Sequence, residues 1–453
     1  MPERTIENFC FWFTFRKGEE VQPPLKGDHE TDIAIIGGGF TGLWSAYFIK
    51  QLDPGARVTL LEQGVLGYGA SGRSGGMTCG TLDQSHGAAI EHFGLEEAVK
   101  MARVAELNYA EFSEFAHDCD FEPVGFLHPA LMPQHMEAYE EESKAAESVG
   151  APKWRLLSAG EIRAELDSRL YLGGAHSTEG GSVNPMKVVL KLKREVERAG
   201  VQIFENTKVE RLRPHDIITL QGRVRAKKII LATDAYGHYL APKLGWKYLP
   251  LYDYIIVSEP LTPEQFEKIG WRNRQGISDA RTFFNYYRLT ADNRILWGTS
   301  EARYYPPNEV HSKHDYSEQY RDALHKSFFA HFPQLSDLSF PYAWGGPIAA
   351  TTRLSPCFGS FHGGSTFYAL GYTGQGVVCS RFAGEVLAHK ALERSSPFLE
   401  LAMVRKAPLS YPPEPLRRFA VSLVRNALHK VDRGEKPGLL LKALELFNIE
   451  FSS

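Results

Sequence analysis

The sequence predicts an α/β fold: a parallel sheet entered through a βαβ unit, a region of antiparallel strands, and a helical tail at the C-terminus. Three observations carry this. A β-branched apolar run, Asp32-Ile33-Ala34-Ile35-Ile36, leads straight into Gly37-Gly38-Gly39-Phe40-Thr41-Gly42. Segments between Tyr252 and Ser300 alternate apolar and polar residues as antiparallel strands do. Beyond Pro412, apolar residues recur at helical spacing.

The chain has 453 residues, enough for about three domain-sized units. Hydrophobic residues make up 43% and charged residues 23%, the balance of a globular protein. A net charge of −3 gives no basic field to displace counterions, so no nucleic-acid partner is expected. No apolar run of about 18 residues occurs, so no integral membrane segment is expected. The cysteines, Cys10, Cys79, Cys119, Cys357 and Cys379, are odd in number and widely spaced. That fits reduced thiols of a cytoplasmic protein. With no CxxC pair and no histidine cluster, no metal site is expected; His128 and His362 are expected to be solvated or structural. The leading segment Met1 to Glu30 lacks the apolar core of a secretory signal. Its aromatics, Phe9, Phe11, Trp12, Phe13 and Phe15, either pack an arm onto the body or line a site mouth; burial is the stronger expectation.

The elements follow in order. Ile33 to Ile36 reads as a buried parallel strand. Leu43 to Leu52 follows as a helix with Leu43, Ala46, Tyr47 and Ile49 on one face, stopped by Asp53-Pro54-Gly55. Arg57 to Glu62 is the second strand. Leu95 to Ala164, rich in Glu and Ala, reads as mostly helical. Val183 to Ala199 is a helix with Pro185 near its start and Gly200 as its stop. Val201 to Phe204 and Thr207 to Leu212 are strands. Ile217 to Leu220 and Val224 to Ala226 form a hairpin across Gln221-Gly222, and Lys228 to Thr233 is a further buried strand. Tyr252 to Glu259, Thr282 to Thr290 and Arg294 to Ser300 are antiparallel, the last two joined at Asp292-Asn293. Phe367 to Gly371 is a strand entering a glycine turn and a helix from Val377 to Leu392. In the tail, Leu416, Phe419, Ala420, Leu423, Val424, Ala427, Leu428 and Val431 form an apolar stripe with Arg417, Arg418, Arg425 and Lys430 outside it. Such a helix lies on a membrane or packs on the body with a solvated basic face; packing is the expectation.

The first glycine block has a mechanical reading. Gly37 permits the turn out of the strand, Gly39 lets a diphosphate approach the backbone, and Gly42 lets the helix pack on the sheet. The N–H groups of Phe40 and Thr41 open the helix, whose dipole favours phosphate. Glu62 closes the second strand, 20 residues beyond Gly42, where it accepts hydrogen bonds from a ribose. Strand, glycines, helix and acid together indicate dinucleotide binding. Next comes Gly67-Tyr68-Gly69-Ala70-Ser71-Gly72-Arg73-Ser74-Gly75-Gly76-Met77. It offers little side chain to bury, so it is either a surface loop or a loop pressed against a second part of the ligand.

These residues resemble the FAD-dependent D-amino-acid oxidase superfamily, and more closely its gamma-glutamylputrescine oxidase-like branch. Further matching blocks are Ser182-Val183-Asn184-Pro185, Leu231 to Tyr236, Tyr287 to Arg294, Gly345-Gly346-Pro347-Ile348-Ala349 and Gly371-Tyr372-Thr373-Gly374-Gln375-Gly376-Val377. The resemblance implies a Rossmann-like FAD-binding domain interleaved with an antiparallel-sheet substrate domain, plus the C-terminal helical tail. Residues 29–110, 174–245 and 341–395 would form the first, 111–173 and 246–340 the second, 1–28 an N-terminal arm and 396–453 the extension. It implies noncovalent FAD with its diphosphate on Gly37, Gly39, Phe40, Thr41 and Gly42, and its ribose on Glu62, followed by Gln63. Val209 would meet the adenine. Ala70, Ser71, Arg73, Ser74, Gly75, Gly76 and Met77 would border the ribityl chain and flavin. Gly371, Thr373, Gly374, Gln375, Gly376 and Val377 would close over the pyrimidine edge, with Thr233 and Gly346 nearby.

Three departures shape the functional expectation. Arg73 stands near where some relatives attach FAD to a histidine. Cys357 falls several residues past the attachment cysteine of sarcosine oxidase-like relatives. Ile348 occupies the position of the arginine with which amino-acid oxidases grip the substrate carboxylate. The expectation is therefore a small-molecule amine substrate, oxidised at its C–N bond by hydride transfer to the flavin. The imine hydrolyses to an aldehyde. The acceptor is O2, giving hydrogen peroxide, or alternatively a quinone or electron carrier; Leu296 falls near a lysine position that some oxidases use for oxygen. Action on RNA is disfavoured by charge. Tyr252, Tyr254, Tyr286, Tyr287, Trp344 and Tyr372 are the aromatics that either line the substrate site or pack as sheet core; Tyr254, Tyr287, Trp344 and Tyr372 are the expected substrate-site members, Tyr254 and Tyr287 foremost. Arg353 serves an anionic substrate group or a structural contact; Arg16 and Lys17 are weaker candidates.

Overall fold

The computed structural model describes residues 5–445. Residues 1–4 of the expected arm and 446–453 of the expected extension lie outside the described residues.

Two eight-stranded sheets organise the chain. In the first, Gly27–Ile36 pairs in parallel with Val58–Leu61 on one side and Gly222–Leu231 on the other. Gln202–Phe204 and Thr366–Leu370 extend the parallel run outward. Alternation sorts the central strand between two cores. Ile33 and Ile35 join the helical layer with Leu43, Trp44 and Val386, while Ala34 and Ile36 pack with Val209, Ile229 and Tyr248 on the other face. Burial on both faces is why this strand reads as a continuous apolar run. The expected hairpin across Gln221-Gly222 is present, but its second strand and the next predicted strand are one, Gly222–Leu231. It is antiparallel to its predecessor at one end and parallel to Gly27–Ile36 along its length.

Helix Phe40–Leu52 begins at the first glycine block. Gly42 is needed there because a Cβ would lie 2.0 Å from the Gly37 carbonyl oxygen. Helix Gly376–Ala391 packs against it.

The second sheet runs in the order Tyr342–Ala350, Leu249–Pro260, Arg294–Tyr304, Asn285–Leu289, Gly276–Ser278, Phe126–Ala130, Gly173–Ser177, Arg155–Ser158. The 95–164 stretch is thus only partly helical: Leu95–Ala116 and Gln134–Ser148 are long helices, and two strands separate and follow them. Those strands sit at the weakly alternating end of the sheet, where neighbouring strands rather than their own residues define them. Tyr342–Ala350 pairs with Leu249–Pro260, so sheet membership divides the chain after Ala350 rather than at 340.

The N-terminal aromatics pack on the body. Phe11, Trp12 and Phe13 are buried, and Trp12 Nε1 donates to the Ser74 carbonyl at 2.8 Å. The tail helix Leu416–Val431 also packs on the body, but in a different phase from the expected one. Arg417 is buried, donating to Asn308 Oδ1 at 2.8 Å and to the Pro412 carbonyl. Leu416, Phe419 and Leu423 face outward. A buried arginine is tolerated because its donors find oxygen partners. No helix among the described residues is long and apolar enough to cross a membrane.

Candidate active site

All three glycine blocks open onto one cavity of about 1840 Å³. A site for one small ligand occupies roughly 300–1,000 Å³, so this space suits an extended dinucleotide with a substrate beside it. Gly37, Gly39, Phe40 and Thr41 line it, with Glu62, Gln63, Val209 and Thr233 along one side and Ala70, Ser71, Arg73, Ser74, Gly75, Gly76 and Met77 along another. Thr373, Gly374, Gln375, Gly376 and Val377 form a third wall with Trp344, Gly346 and Tyr372. Gly42 and Gly371 stand behind the surface: Gly42 serves helix packing, and the Gly371 N–H donates to Asp234 Oδ1 at 2.9 Å.

The blocks are tied to one another. Ser71 Oγ accepts from the Phe40 N–H at 2.8 Å. Thr41 Oγ1 and Tyr372 Oη bond at 2.7 Å, linking the first block to the last. Glu62 accepts from the N–H groups of Gly38 and Gly64 at 2.8 and 2.9 Å, and burial raises its pKa against these bonds. Three buried polar atoms on the cavity wall, Ser74 Oγ, Thr233 Oγ1 and Gln375 Oε1, have no protein partner. Buried polar atoms are rarely left so, and a polar dinucleotide bound in the cavity would give them partners.

Arg73 lines the cavity with its guanidinium held by protein partners: it ion-pairs with Asp315 at 2.8 Å and donates to the carbonyls of Tyr68 and Gly345. Trp344 Nε1 donates to the Arg73 carbonyl at 2.9 Å. Arginine and indole therefore brace the second glycine loop against the antiparallel sheet.

The substrate side needs a correction. Tyr254 and Tyr287 do not reach the cavity. They lie in the opposite core, Tyr254 stacked on Tyr320 at 4.3 Å and Tyr287 on Trp297 at 4.3 Å, with the Tyr287 hydroxyl bonded to that of Tyr171. Successive strand residues face opposite sides, so the cavity receives their neighbours, Asp253 and Tyr286. Ile255, Trp344 and Ile348 complete this wall. Asp253 pairs in register with Gly346. It accepts from its neighbour, the Tyr254 N–H, at 2.8 Å and from Tyr286 Oη at 2.5 Å. Burial pushes its pKa up to about 7, against the lowering effect of both hydrogen bonds. Burial likewise raises Tyr286 well above the ordinary phenol value. Tyr286 reaches over the second glycine loop: a Cβ on Gly75 would lie 3.0 Å from its ring.

Sequence reasoning also missed the cavity's outer walls. His128, expected to be solvated or structural, is stacked on Trp154 at 4.4 Å and lines the space; burial lowers its pKa to about 4. Val421, Val424 and Leu428 of the tail helix roof the opposite side, where Arg425 pairs with Glu301 at 2.6 Å. Arg353 takes the structural alternative, donating to Ser355 Oγ and the carbonyls of Pro356 and Lys406. Arg16 is ion-paired with Glu205 at 3.5 Å, Lys17 is exposed, and neither lines the cavity. Cys357 is fully buried in its strand, away from the cavity. Among the described residues no His, Cys, Asp and Glu cluster could hold a metal ion.

The chain is similar to several known proteins. The chain is 29% identical to the gamma-glutamylputrescine oxidoreductase of Escherichia coli over 365 residues, covering 79% of this chain and 82% of that protein. It is 29% identical to a probable oxidoreductase OrdL of Haemophilus influenzae, covering 84% and 88%. Glycine oxidase of Geobacillus kaustophilus superposes with a TM-score of 0.68 at 20% identity, covering 83% of this chain and 99% of that one. The sequence pattern of the FAD dependent oxidoreductase (DAO) family matches residues 32–390. Three glycine blocks on one cavity and a family match over most of its length agree: the chain belongs to the DAO family of FAD dependent oxidoreductases.

Proposed function

We propose that the protein oxidises the C–N bond of a small amine rather than of a simple α-amino acid. One observation carries the reading. The cavity wall over the second glycine loop presents a carboxyl group, Asp253, with Tyr286, Trp344, Ile255 and Ile348, and the arginine on that loop is already engaged by Asp315. An α-carboxylate finds no clamp there, whereas an amine finds an acid. The name of the Escherichia coli relative, gamma-glutamylputrescine oxidoreductase, supports an amine as the reacting group.

The chain's residues divide the work. The helix start at Phe40 and Thr41 would hold the FAD diphosphate, Glu62 the ribose, the backbone at Val209 the adenine, and the loops Ala70–Met77 and Thr373–Val377 the flavin, without a covalent bond. Bound FAD supplies an acceptor for the hydride on the carbon next to nitrogen. Trp344, Ile255 and Ile348 exclude water and orient that carbon. The nitrogen lone pair becomes the second bond of an imine, which water hydrolyses to an aldehyde and ammonia or an amine. Dioxygen is the proposed electron acceptor, giving hydrogen peroxide.

The test is anaerobic titration of the purified yellow protein with alkylamines, N-methyl amines, aminophosphonates and amino acids. The reading expects an amine to bleach the visible band and air to restore it with peroxide release. Bleaching by amino acids alone would overturn the substrate class. Colour that stays bleached for minutes in air would overturn the oxygen acceptor.

A further inference from the structure

We propose that Asp253 binds the substrate's ammonium group and takes its proton, so that the amine becomes oxidisable only after docking against this carboxylate. The inference rests on the amine reading above and names the residue that executes it.

The geometry is specific. Asp253 sits at mid-strand, its side chain opening on the cavity beside Gly346. Tyr286 lies two strands away in the sheet, separated by Arg294–Tyr304. At the crossing point the intervening residue is Gly298, opposite both Ile255 and Tyr286. A Cβ there would lie 2.2 Å from the Tyr286 ring, so only a bare backbone lets the phenol reach across to the carboxyl. Asp253 thus has two donors, the Tyr254 N–H and the Tyr286 hydroxyl. Among the described residues no lysine, arginine or histidine pairs with it. From the other packed elements, Gly345, Gly346 and Pro347 bring no charge, and Arg73, beyond Gly346, is neutralised by Asp315.

A carboxylate in such a wall is costly without a cation. A cationic ligand nitrogen supplies that cation, and an anionic ligand group is repelled. An alkylamine arrives protonated, with a pKa near that of lysine, about 10.4. The carbon beside an ammonium cannot give up a hydride, because the nitrogen has no lone pair to form the imine. The transfer balances: R–CH2–NH3+ and the Asp253 carboxylate become R–CH2–NH2 and the Asp253 carboxylic acid. No electron moves and no further reactant is needed. Burial pushes the carboxyl up to about 7, which makes it a usable acceptor at neutral pH, and Tyr286 keeps its own proton throughout.

The experiment compares wild type, Asp253→Asn and Tyr286→Phe, each with its FAD content measured first. Two readouts are taken. The first is the visible spectrum of substrate-free enzyme across neutral pH. Wild type shows a transition with a midpoint near 7, Asp253→Asn shows none, and Tyr286→Phe shows one moved to higher pH, because the lost hydrogen bond favoured the ionised form. The second is the rate of anaerobic bleaching by the best amine. Asp253→Asn slows it by about 100-fold or more near neutrality and recovers as pH approaches the amine's own pKa. An Asp253→Asn enzyme that keeps its FAD, the spectral transition and the wild-type rate overturns the inference while leaving the amine reading intact. Wild type that no amine bleaches overturns both.

Discussion

Tyr286 Oη donates to Asp253 Oδ2 at 2.5 Å across the backbone of Gly298. The bond joins two strands that do not pair with each other and aims both side chains at the cavity. Replacing Gly298 by alanine places a methyl group where the phenol ring lies. We expect Gly298→Ala to retain FAD while amine-dependent bleaching slows by about 10–100-fold, measured by stopped-flow absorbance.

The phase of the strands makes a second prediction. Tyr254→Phe and Tyr287→Phe remove hydroxyls from the far core and leave the cavity wall unchanged, so bleaching rates stay within about three-fold of wild type. Tyr287→Phe also breaks a buried hydroxyl pair with Tyr171 and lowers stability by about 1 kcal/mol. Paired rate and thermal-melt measurements separate the two effects.

Asp253 also sets a pH-dependent stability. Its folded pKa is raised to about 7, so in the substrate-free protein its cost is absent below the unfolded carboxylate value. The cost grows as pH rises and is complete above about 7. Asp253→Asn should therefore melt at a higher temperature than wild type above neutrality, by about 2–4 °C, with the difference shrinking through mild acid and vanishing below about pH 4. Equal melting curves at both pH values would remove the uncompensated carboxylate from the account.

The Thr41–Tyr372 bond ties the first and last glycine blocks. Thr41→Val and Tyr372→Phe each leave one buried hydroxyl without its partner, and each should weaken FAD retention by about 1–3 kcal/mol. The double variant should lose less than the sum, because neither orphan remains. Flavin fluorescence on dilution reads the release.

Arg73 and Asp315 form a buried pair, with side chains 1% and 4% exposed. Removing one partner of such a pair costs about 3–5 kcal/mol. Arg73→Met should thus fold poorly or lose FAD, read from its thermal melt and its flavin content.

What the sequence made legible was local. The first glycine block announces itself because turn, close approach and helix start fall within six consecutive residues, Gly37 to Gly42. The last block has the same strand–turn–helix logic. Strand phase was not legible on the substrate side. Tyr252-Asp253-Tyr254 and Tyr286-Tyr287 place polar or aromatic residues on both parities, so alternation alone does not say which set faces the cofactor. The opposite core also takes Tyr252, Tyr254 and Tyr287, which satisfies aromatic burial without any ligand. The tail helix misled for a related reason. Its apolar stripe predicts which face turns inward, but a buried Arg417 satisfied by Asn308 sets the phase instead and leaves Leu416, Phe419 and Leu423 outside.

The most direct measurement is anaerobic flavin reduction by an alkylamine and by its counterpart carrying an α-carboxylate, followed in one stopped-flow series. With Asp253 on the wall and Ile348 in place of a clamp, the amine should reduce the flavin at least about 100-fold faster at equal concentration. Faster reduction by the carboxylated compound would contradict the account.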